Sequence, residues 1–157
     1  MKQRHLNNLT VSELGLGCMG MSQFYGTPDE HQSIATIQRA IEHGIDFFDT
    51  SDMYGMGHNE QLLQKALAPF KREELKLATK FGFKKATPND PDFELDGSPA
   101  HVKKAIDDSL KRLGTDYVDL YYLHRLDPKT PIRSTSISGR FHAHSKIASR
   151  SFAQPSG

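Results

Sequence analysis

Three stretches of the chain carry apolar residues three or four positions apart, which is typical of a helix with one buried face. The first and the third open with Ser or Thr followed by proline and close on glycine, the residues that commonly cap helices. These cap pairs are Thr27 with Gly44 and Ser98 with Gly114. The middle stretch, 58–70, has its leucines on one helical face and a proline near its end. The pattern therefore predicts three helices.

Four short apolar runs alternate with these helices and predict β-strands, at 14–20, 45–48, 75–82 and 117–124. Strands joined through helices lie parallel, because the chain must return across a face of the sheet before the next strand begins. The remaining long segment, 83–97, is rich in proline and is predicted to be a loop. The order βαβαβαβ thus predicts an α/β fold with a parallel sheet.

The carboxyl ends of three predicted strands carry polar side chains that could act together. The segment FFDTSDMYG (47–55) ends a strand at Asp49 and places Tyr54 on the following loop, while Lys80 and His124 end the next two strands. Functional sites in parallel sheets gather at these ends. Each residue also has an ordinary structural interpretation, with Lys80 as a solvated lysine, His124 as a core histidine and Tyr54 as a packing residue.

Together, the four residue types suit proton delivery to a carbonyl group. A free tyrosine has a pKa of about 10, so its phenol gives up a proton reluctantly near neutrality. A buried lysine beside it stabilises the phenolate, and an aspartate keeps that lysine charged and oriented. A histidine can hydrogen-bond the carbonyl oxygen and orient it. The hypothesis is therefore a reductase that converts a carbonyl to an alcohol.

The run GLGCMG (15–20) matches the G-x-G-x-x-G pattern of dinucleotide-binding Rossmann units. In such units the glycines open directly into a helix whose N-terminus holds the pyrophosphate. Here the segment MSQFYG separates the run from the predicted helix start at Thr27. We therefore favour a loop that lets the backbone pass close to something above the sheet.

The motifs FFDTSDMYG, LATKFGF and DLYYLHRLD, preceded by VSELGLGCMGMS, closely resemble those of the aldo-keto reductases. The likeness runs from about Leu6 to Ile132 and is strongest to the branch whose first loop reads Gly-Cys-Met-Gly. It implies an α/β fold that is the N-terminal half of a (β/α)8 TIM barrel. It also implies that NADPH binds in an extended form without a Rossmann unit.

The resemblance implies a role for each catalytic residue. Tyr54 would be the general acid in reduction, and Lys80 would ease the release of its proton. Asp49 would pair with Lys80. His124 would position the carbonyl group of the substrate, a small aldehyde or ketone.

The same resemblance implies residues for the cofactor side of the pocket, which are Asp49 and three members of the first loop, Cys18, Met19 and Gly20. Three aromatic residues could face the substrate, although ordinary packing explains each of them equally well: Phe24, Tyr25 and Phe81.

Composition separates the chain into two unlike parts. The 157 residues are 36% hydrophobic and 25% charged, as in a globular protein, but the net charge of +1 sums −3 over 1–132 and +4 over 133–157. No run approaches the ~20 apolar residues that span a bilayer. The single cysteine excludes an internal disulfide. These features predict a cytoplasmic protein with no membrane or nucleic-acid partner and no metal site.

Residues 133–157 carry seven serines, no acidic residue and no helical or alternating apolar period, where the resemblance predicts an acidic helix. Three interpretations stay open. The chain is a reductase damaged by a frameshift or truncation after about residue 132, or a short product with a disordered basic tail. The third is a tail that binds nucleic acid, membrane or metal, with His142 and His144 as a weak metal signal. We predict a partial barrel of about four β/α units over 1–132 and a disordered tail after it.

Two classes of function follow from this division. The first is an NADPH-dependent carbonyl reductase by descent and by site, and it leaves open whether the isolated 157-residue chain is active. The alternative is a catalytically inactive half-barrel that acts as a binding or regulatory subunit, or a fragment without function, because four strands cannot close a barrel.

Overall fold

A computed structural model describes residues 1–85, 94–135 and 146–148. The strands in these ranges are β1 (Gln3–Leu6), β2 (Leu9–Ser12), β3 (Leu16–Gly17), β4 (Phe47–Asp49), β5 (Lys76–Phe81), β6 (Phe83–Lys85), β7 (Glu94–Leu95), β8 (Leu120–Leu123) and β9 (Lys146–Ala148). The helices are α1 (Glu30–Glu42), α2 (His58–Leu67) and α3 (Pro99–Leu113). None of the helices in the described ranges has the length and apolar content to cross a bilayer.

The strands β3, β4, β5, β8 and β9 form one parallel sheet in that order. This arrangement confirms the predicted alternation of parallel strands and helices. In the register, Asp49 lies beside Ala78, and Lys80 lies beside Tyr122. Because register neighbours share a face and side chains alternate along a strand, Asp49 and Lys80 point to the same face of the sheet.

The other face of the sheet packs against the helices and forms the hydrophobic core. Phe48, Leu77 and Phe81 of the sheet are almost completely buried there, together with Leu63 of α2 and Ile106 of α3. Burial of a side chain of this size stabilises a fold by roughly 1.5–3 kcal/mol. The helices are thus held on one face of the sheet, which leaves the opposite face and the strand ends for polar residues.

Helix α1 begins later than the sequence predicts. Its N-cap is Asp29, whose carboxylate accepts a hydrogen bond from the backbone N–H of Gln32 at 2.9 Å. The predicted cap, Thr27, lies outside the helix, so the prediction at this end was wrong. Thr and Asp are both good caps, and the ionised carboxylate also interacts favourably with the positive end of the helix dipole.

Helix α3, in contrast, has the predicted caps. Ser98 accepts a hydrogen bond from the backbone N–H of His101 at 3.3 Å, and Pro99 is the first helical residue. Gly114 follows the last turn with a φ of 64°, a left-handed conformation that glycine takes without strain. The prediction of both ends is confirmed.

Five strands lie outside the predicted pattern. β1 and β2 form an antiparallel hairpin, and β6 pairs with β7 within the predicted loop 83–97. β1 is exposed along its whole length, so it lacks the apolar alternation by which strands are predicted. In the segment 133–157, β9 pairs in parallel with β8. Residues 136–145, which include His142 and His144, and residues 149–157 lie outside the described residues.

Candidate active site

The four predicted catalytic residues lie together, with Lys80 at their centre. Its Nζ donates hydrogen bonds to Asp49 Oδ1 at 2.5 Å, to the Tyr54 hydroxyl at 2.9 Å and to the Thr50 carbonyl at 2.9 Å. These acceptors use all three protons of the ammonium group. The Lys80 side chain is only 16% exposed. Lys80 is therefore not the solvated lysine of the ordinary interpretation.

Tyr54 begins the short turn Tyr54–Gly57, which lies between β4 and α2. Its side chain is 7% exposed. The next three residues, Gly55, Met56 and Gly57, have φ values of 58°, 56° and 89°, so the chain reverses tightly before α2. Glycine tolerates this left-handed conformation, and two of the three positions are glycine. The turn therefore places the phenol close to the strand ends, where its oxygen meets Lys80.

His124 follows β8 and presents its ring edge-on to Tyr54, with ring centroids 5.8 Å apart and an interplanar angle of 86°. Its Nδ1 lies 3.1 Å from Ser51 Oγ. Burial, followed by the positive charges of Lys80 and Arg125, lowers the pKa of His124 to about 4. The ring is therefore neutral near pH 7, and one nitrogen donates a hydrogen bond while the other accepts.

Asn59 was not singled out in the sequence analysis. It connects the first loop to Thr50, the residue that follows β4. Its amide nitrogen donates to the Cys18 carbonyl at 2.8 Å and to the Ser22 hydroxyl at 2.7 Å, and its oxygen accepts from the Thr50 hydroxyl at 2.7 Å. Asn59 is fully buried. A polar residue in the first turn of a helix ordinarily indicates a solvated or capping group, so no sequence signal reveals this role.

A second buried polar cluster lies near the site. Glu60, also fully buried, accepts hydrogen bonds from Arg112 Nε at 2.6 Å and from Thr79 Oγ1 at 2.7 Å. Burial, followed by the negative charge of Glu60, raises the pKa of Asp52 to about 7. Asp52 Oδ1 lies 3.2 Å from Ser51 Oγ. The Ser51 hydroxyl thus connects this cluster to His124.

The predicted cofactor residues of the first loop form a turn beside Asp49. The Cys18 N–H donates to the Asp49 carbonyl at 2.9 Å, and the Cys18 side chain is fully buried. This burial, followed by the charge of Asp49, raises the pKa of the Cys18 thiol to about 12. Met19 is half-buried and Gly20 is exposed. A Cβ built on Gly17, the register neighbour of Asp49, would meet no atom within 4 Å, so open space borders this carboxylate.

Of the three aromatic residues that could face a substrate, Phe81 points elsewhere. It is fully buried and stacks on Tyr121 with ring centroids 4.5 Å apart, on the face of the sheet that packs against the helices. The packing interpretation is therefore correct for Phe81. Phe24 and Tyr25, in the first loop, are 67% and 74% exposed and are accessible to a ligand.

The chemistry that this arrangement can perform is proton transfer. A phenol is held against an ammonium group, the ammonium is paired with a carboxylate, and a neutral imidazole lies edge-on to the phenol ring. Within the ranges that the structure covers, no group of three or more His, Cys, Asp or Glu side chains could hold a metal ion.

Comparison with known proteins places this site in a family context. A family model described as the aldo/keto reductase family matches residues 13–142. The match includes all four residues of the site, and it extends past Ile132, where the likeness of the quoted motifs ends.

Similar proteins agree with this match. The Glycine max protein named "Probable aldo-keto reductase 1" is 46% identical over 126 residues, and the aldo-keto reductase yakc of Schizosaccharomyces pombe, whose name specifies NADP(+), is 43% identical over 130 residues. The solved structure of an aldo-keto reductase from Bacillus halodurans, in its holo form, has a TM-score of 0.74 at 42% identity.

These alignments cover most of this chain but less than half of each relative. They include 80% and 82% of the chain for the two curated relatives and 86% for the solved structure, against 36%, 38% and 44% of those proteins. The parallel α/β sheet thus corresponds to part of an aldo-keto reductase TIM barrel, which confirms the predicted fold class. On this agreement of sequence, fold and matched length, the chain belongs to the aldo/keto reductase family.

Proposed function

We propose that the chain carries the proton-transfer site of an NADPH-dependent oxidoreductase that reduces small aldehydes or ketones to alcohols. Tyr54 is the general acid, Lys80 and Asp49 support it, and His124 donates a hydrogen bond to the carbonyl oxygen. One observation carries this proposal. The single ammonium group of Lys80 is bonded both to the phenol oxygen and to a carboxylate.

Proton delivery follows from the contacts of Tyr54. When the phenol gives its proton to the carbonyl oxygen, the phenolate that remains keeps the hydrogen bond from Lys80 Nζ at 2.9 Å. A charge pair at this distance in a largely buried site is much stronger than the same pair in water. Asp49 pairs with the ammonium group of Lys80 and holds it in place. The new O–H bond of the alcohol is therefore formed with the proton of Tyr54.

The neutral ring of His124 supplies the second polar contact to the carbonyl. A neutral imidazole can donate one hydrogen bond to the carbonyl oxygen and thereby polarise the bond that is reduced. The edge-on position of its ring, with the centroid 5.8 Å from that of Tyr54, supports the proposal that both groups bind the same oxygen atom. The imidazole orients the carbonyl while the phenol protonates it.

The surface beside Asp49 is the proposed place for the nicotinamide end of the cofactor. Open space borders the carboxylate at Gly17, and Met19 and Gly20 contribute surface next to it. The side chain of Cys18 is buried in the core beneath this surface. When bound, NADPH would supply a hydride to the carbonyl carbon. The NADP(+) in the name of the Schizosaccharomyces pombe relative supports the choice of cofactor.

The test is a turnover assay on the purified 157-residue chain with NADPH and a panel of small aldehydes and ketones, followed by the nicotinamide absorbance. We expect Tyr54→Phe to lower kcat by about 100-fold or more, as removal of a general acid does. Tyr117→Phe, which alters a tyrosine that precedes β8 and stacks against Arg72 away from the site, is the matched control and should keep the activity. A folded chain without turnover on any substrate, or equal activity in Tyr54→Phe, would overturn the proposal. The first of these results would favour a binding role.

A further inference from the structure

The hydroxyl of Ser51 lies between two groups that exchange protons. On one side it is 3.1 Å from His124 Nδ1, and on the other it is 3.2 Å from Asp52 Oδ1. Ser51 is fully buried, so water does not compete for these contacts. The backbone N–H of Met53 donates to the same oxygen at 3.3 Å.

The single proton of this hydroxyl constrains the hydrogen-bond directions. Ser51 can donate to only one neighbour at a time, and it accepts with its lone pairs. The carbonyl of Lys80, at 3.5 Å, is the weakest of the available acceptors. The direction of the bond to His124 therefore depends on whether Asp52 accepts the Ser51 proton or supplies one of its own.

The carboxylate of an ionised Asp52 can accept hydrogen bonds but cannot donate them. Ser51 then donates to Asp52, and the Nδ1–H of His124 donates to Ser51. The Nε2 atom of His124 is left with a lone pair in this state, and it cannot donate a hydrogen bond to a carbonyl oxygen.

Protonation of Asp52 reverses the direction of both hydrogen bonds. The protonated carboxyl group donates to Ser51, Ser51 donates to His124 Nδ1, and Nε2 carries the proton that a carbonyl oxygen requires. The protons balance when one from solvent binds Nε2, the Nδ1 proton passes to Ser51 and the former Ser51 proton passes to Asp52. The ring is neutral before and after.

We propose that Ser51 is a positioning residue that sets the tautomer of His124, and that the proton of Asp52 decides which ring nitrogen carries the hydrogen. The proposal rests on the proposed function for its consequence, since only the Nε2–H form of His124 can orient a carbonyl. The tautomer itself is measurable without turnover.

The environment of Asp52 brings this switch into the range near neutral pH. Burial and the charge of Glu60 on α2 oppose the ionised form, while Arg112 on α3 favours it, which leaves the pKa of Asp52 at about 7. Asp52 also lines a cavity of about 230 Å³ with charged or titratable groups of β6 and α3, which are Lys84, His101, Lys104, Asp108 and Arg112. Because the pKa of His124 is lowered to about 4, its ring stays neutral while Asp52 titrates.

The experiment is ¹⁵N NMR of the full chain labelled at histidine, recorded from about pH 5.5 to about pH 8.5, a range in which a neutral ring reports its tautomer. The resonances of His124 are assigned by their absence in His124→Gln. We expect the Nε2–H form to predominate at the acidic end and the Nδ1–H form at the alkaline end, with a midpoint near that of Asp52.

Three variants make the result specific. Ser51→Ala, which removes the bridge, and Asp52→Asn, which cannot ionise, should each abolish the pH dependence of the tautomer. Ser33→Ala alters a buried serine of α1 and should leave it unchanged. If Ser51→Ala does not fold, the pH dependence of the His124 tautomer in Asp52→Asn tests the proposal.

Two results would overturn the inference. One is a wild-type tautomer that stays constant across the pH range, and the other is a titration that persists in Ser51→Ala or Asp52→Asn. A tautomer that switches as expected in a chain without reductase activity would refute the proposed function and leave this inference intact.

Discussion

Replacement of Asp52 by Asn should make the stability of the chain less dependent on pH. The carboxyl group is largely buried beside Glu60, and its pKa is raised from an ordinary 3.8 to about 7. Between these two values the folded chain binds more protons at this position than the unfolded chain does. The free energy of unfolding of the wild type therefore falls as the pH rises through this window.

The size of the effect follows from the shift. Each unit of pKa corresponds to about 1.4 kcal/mol, so a shift of about three units amounts to about 4 kcal/mol once Asp52 is ionised. Asparagine has nearly the same size and carries no charge. The variant should therefore gain about 4 kcal/mol relative to wild type between about pH 4 and about pH 8.5.

The assay is urea unfolding of both proteins across this pH range, with the difference in free energy of unfolding as the measured quantity. His124 contributes in the opposite direction, because its lowered pKa makes stability rise with pH between about 4 and 6.5. It is present in both proteins, so its contribution cancels in the difference. Asp107→Asn, at an exposed position of α3, is the control. A difference between wild type and Asp52→Asn that does not change with pH would refute the reasoning.

Two further predictions concern the buried polar contacts around the site. Arg112→Leu removes the partner of the fully buried Glu60 and should lower the free energy of unfolding by about 3–5 kcal/mol in urea titrations, whereas Arg39→Leu, in an exposed pair, should change it by at most about 1 kcal/mol. Equal effects of the two variants would show that the buried pair is not what stabilises this region. Asn59→Ala leaves the Cys18 carbonyl without its side-chain donor and should cost about 2 kcal/mol or more in the same assay. It should also raise KM for NADPH if the first loop binds the cofactor, and an unchanged KM would count against that role.

Local patterns in the sequence predicted those parts of the fold that depend on residues close together in the chain. The caps of α3 and the parallel order of strands and helices rest on residues a few positions apart, and both are found as predicted. The start of α1 was wrong because Thr27 and Asp29 compete for the same role within three residues. The exposed strand β1 carries no apolar pattern at all. A strand of this kind is held by its hydrogen bonds to β2, which a pattern of side chains does not reveal.

The residues of the candidate site also differ in whether local sequence patterns identify them. Asp49, Lys80 and His124 could be singled out because each lies at or just past the carboxyl end of an apolar strand, and parallel strands bring these ends together. Ser51 and Asn59 carry no such mark, since their partners are set by the tertiary fold, as with Ser51 and His124, which lie 73 positions apart. Polar residues near a strand end or in a first helical turn are ordinarily solvated. Only their burial in the folded chain identifies them as structural parts of the site.

The residues proposed to exchange protons with a substrate can be identified from the sequence, whereas those proposed to set their protonation and geometry cannot. Lys80 can stabilise a phenolate only while Asp49 and the Thr50 carbonyl hold its ammonium group in place, and Thr50 is itself fixed by Asn59. In the proposed mechanism His124 orients a carbonyl in only one tautomer, which the Ser51 hydroxyl would determine. Substitutions at Ser51 and Asn59 should therefore impair catalysis although neither residue touches the reacting atoms.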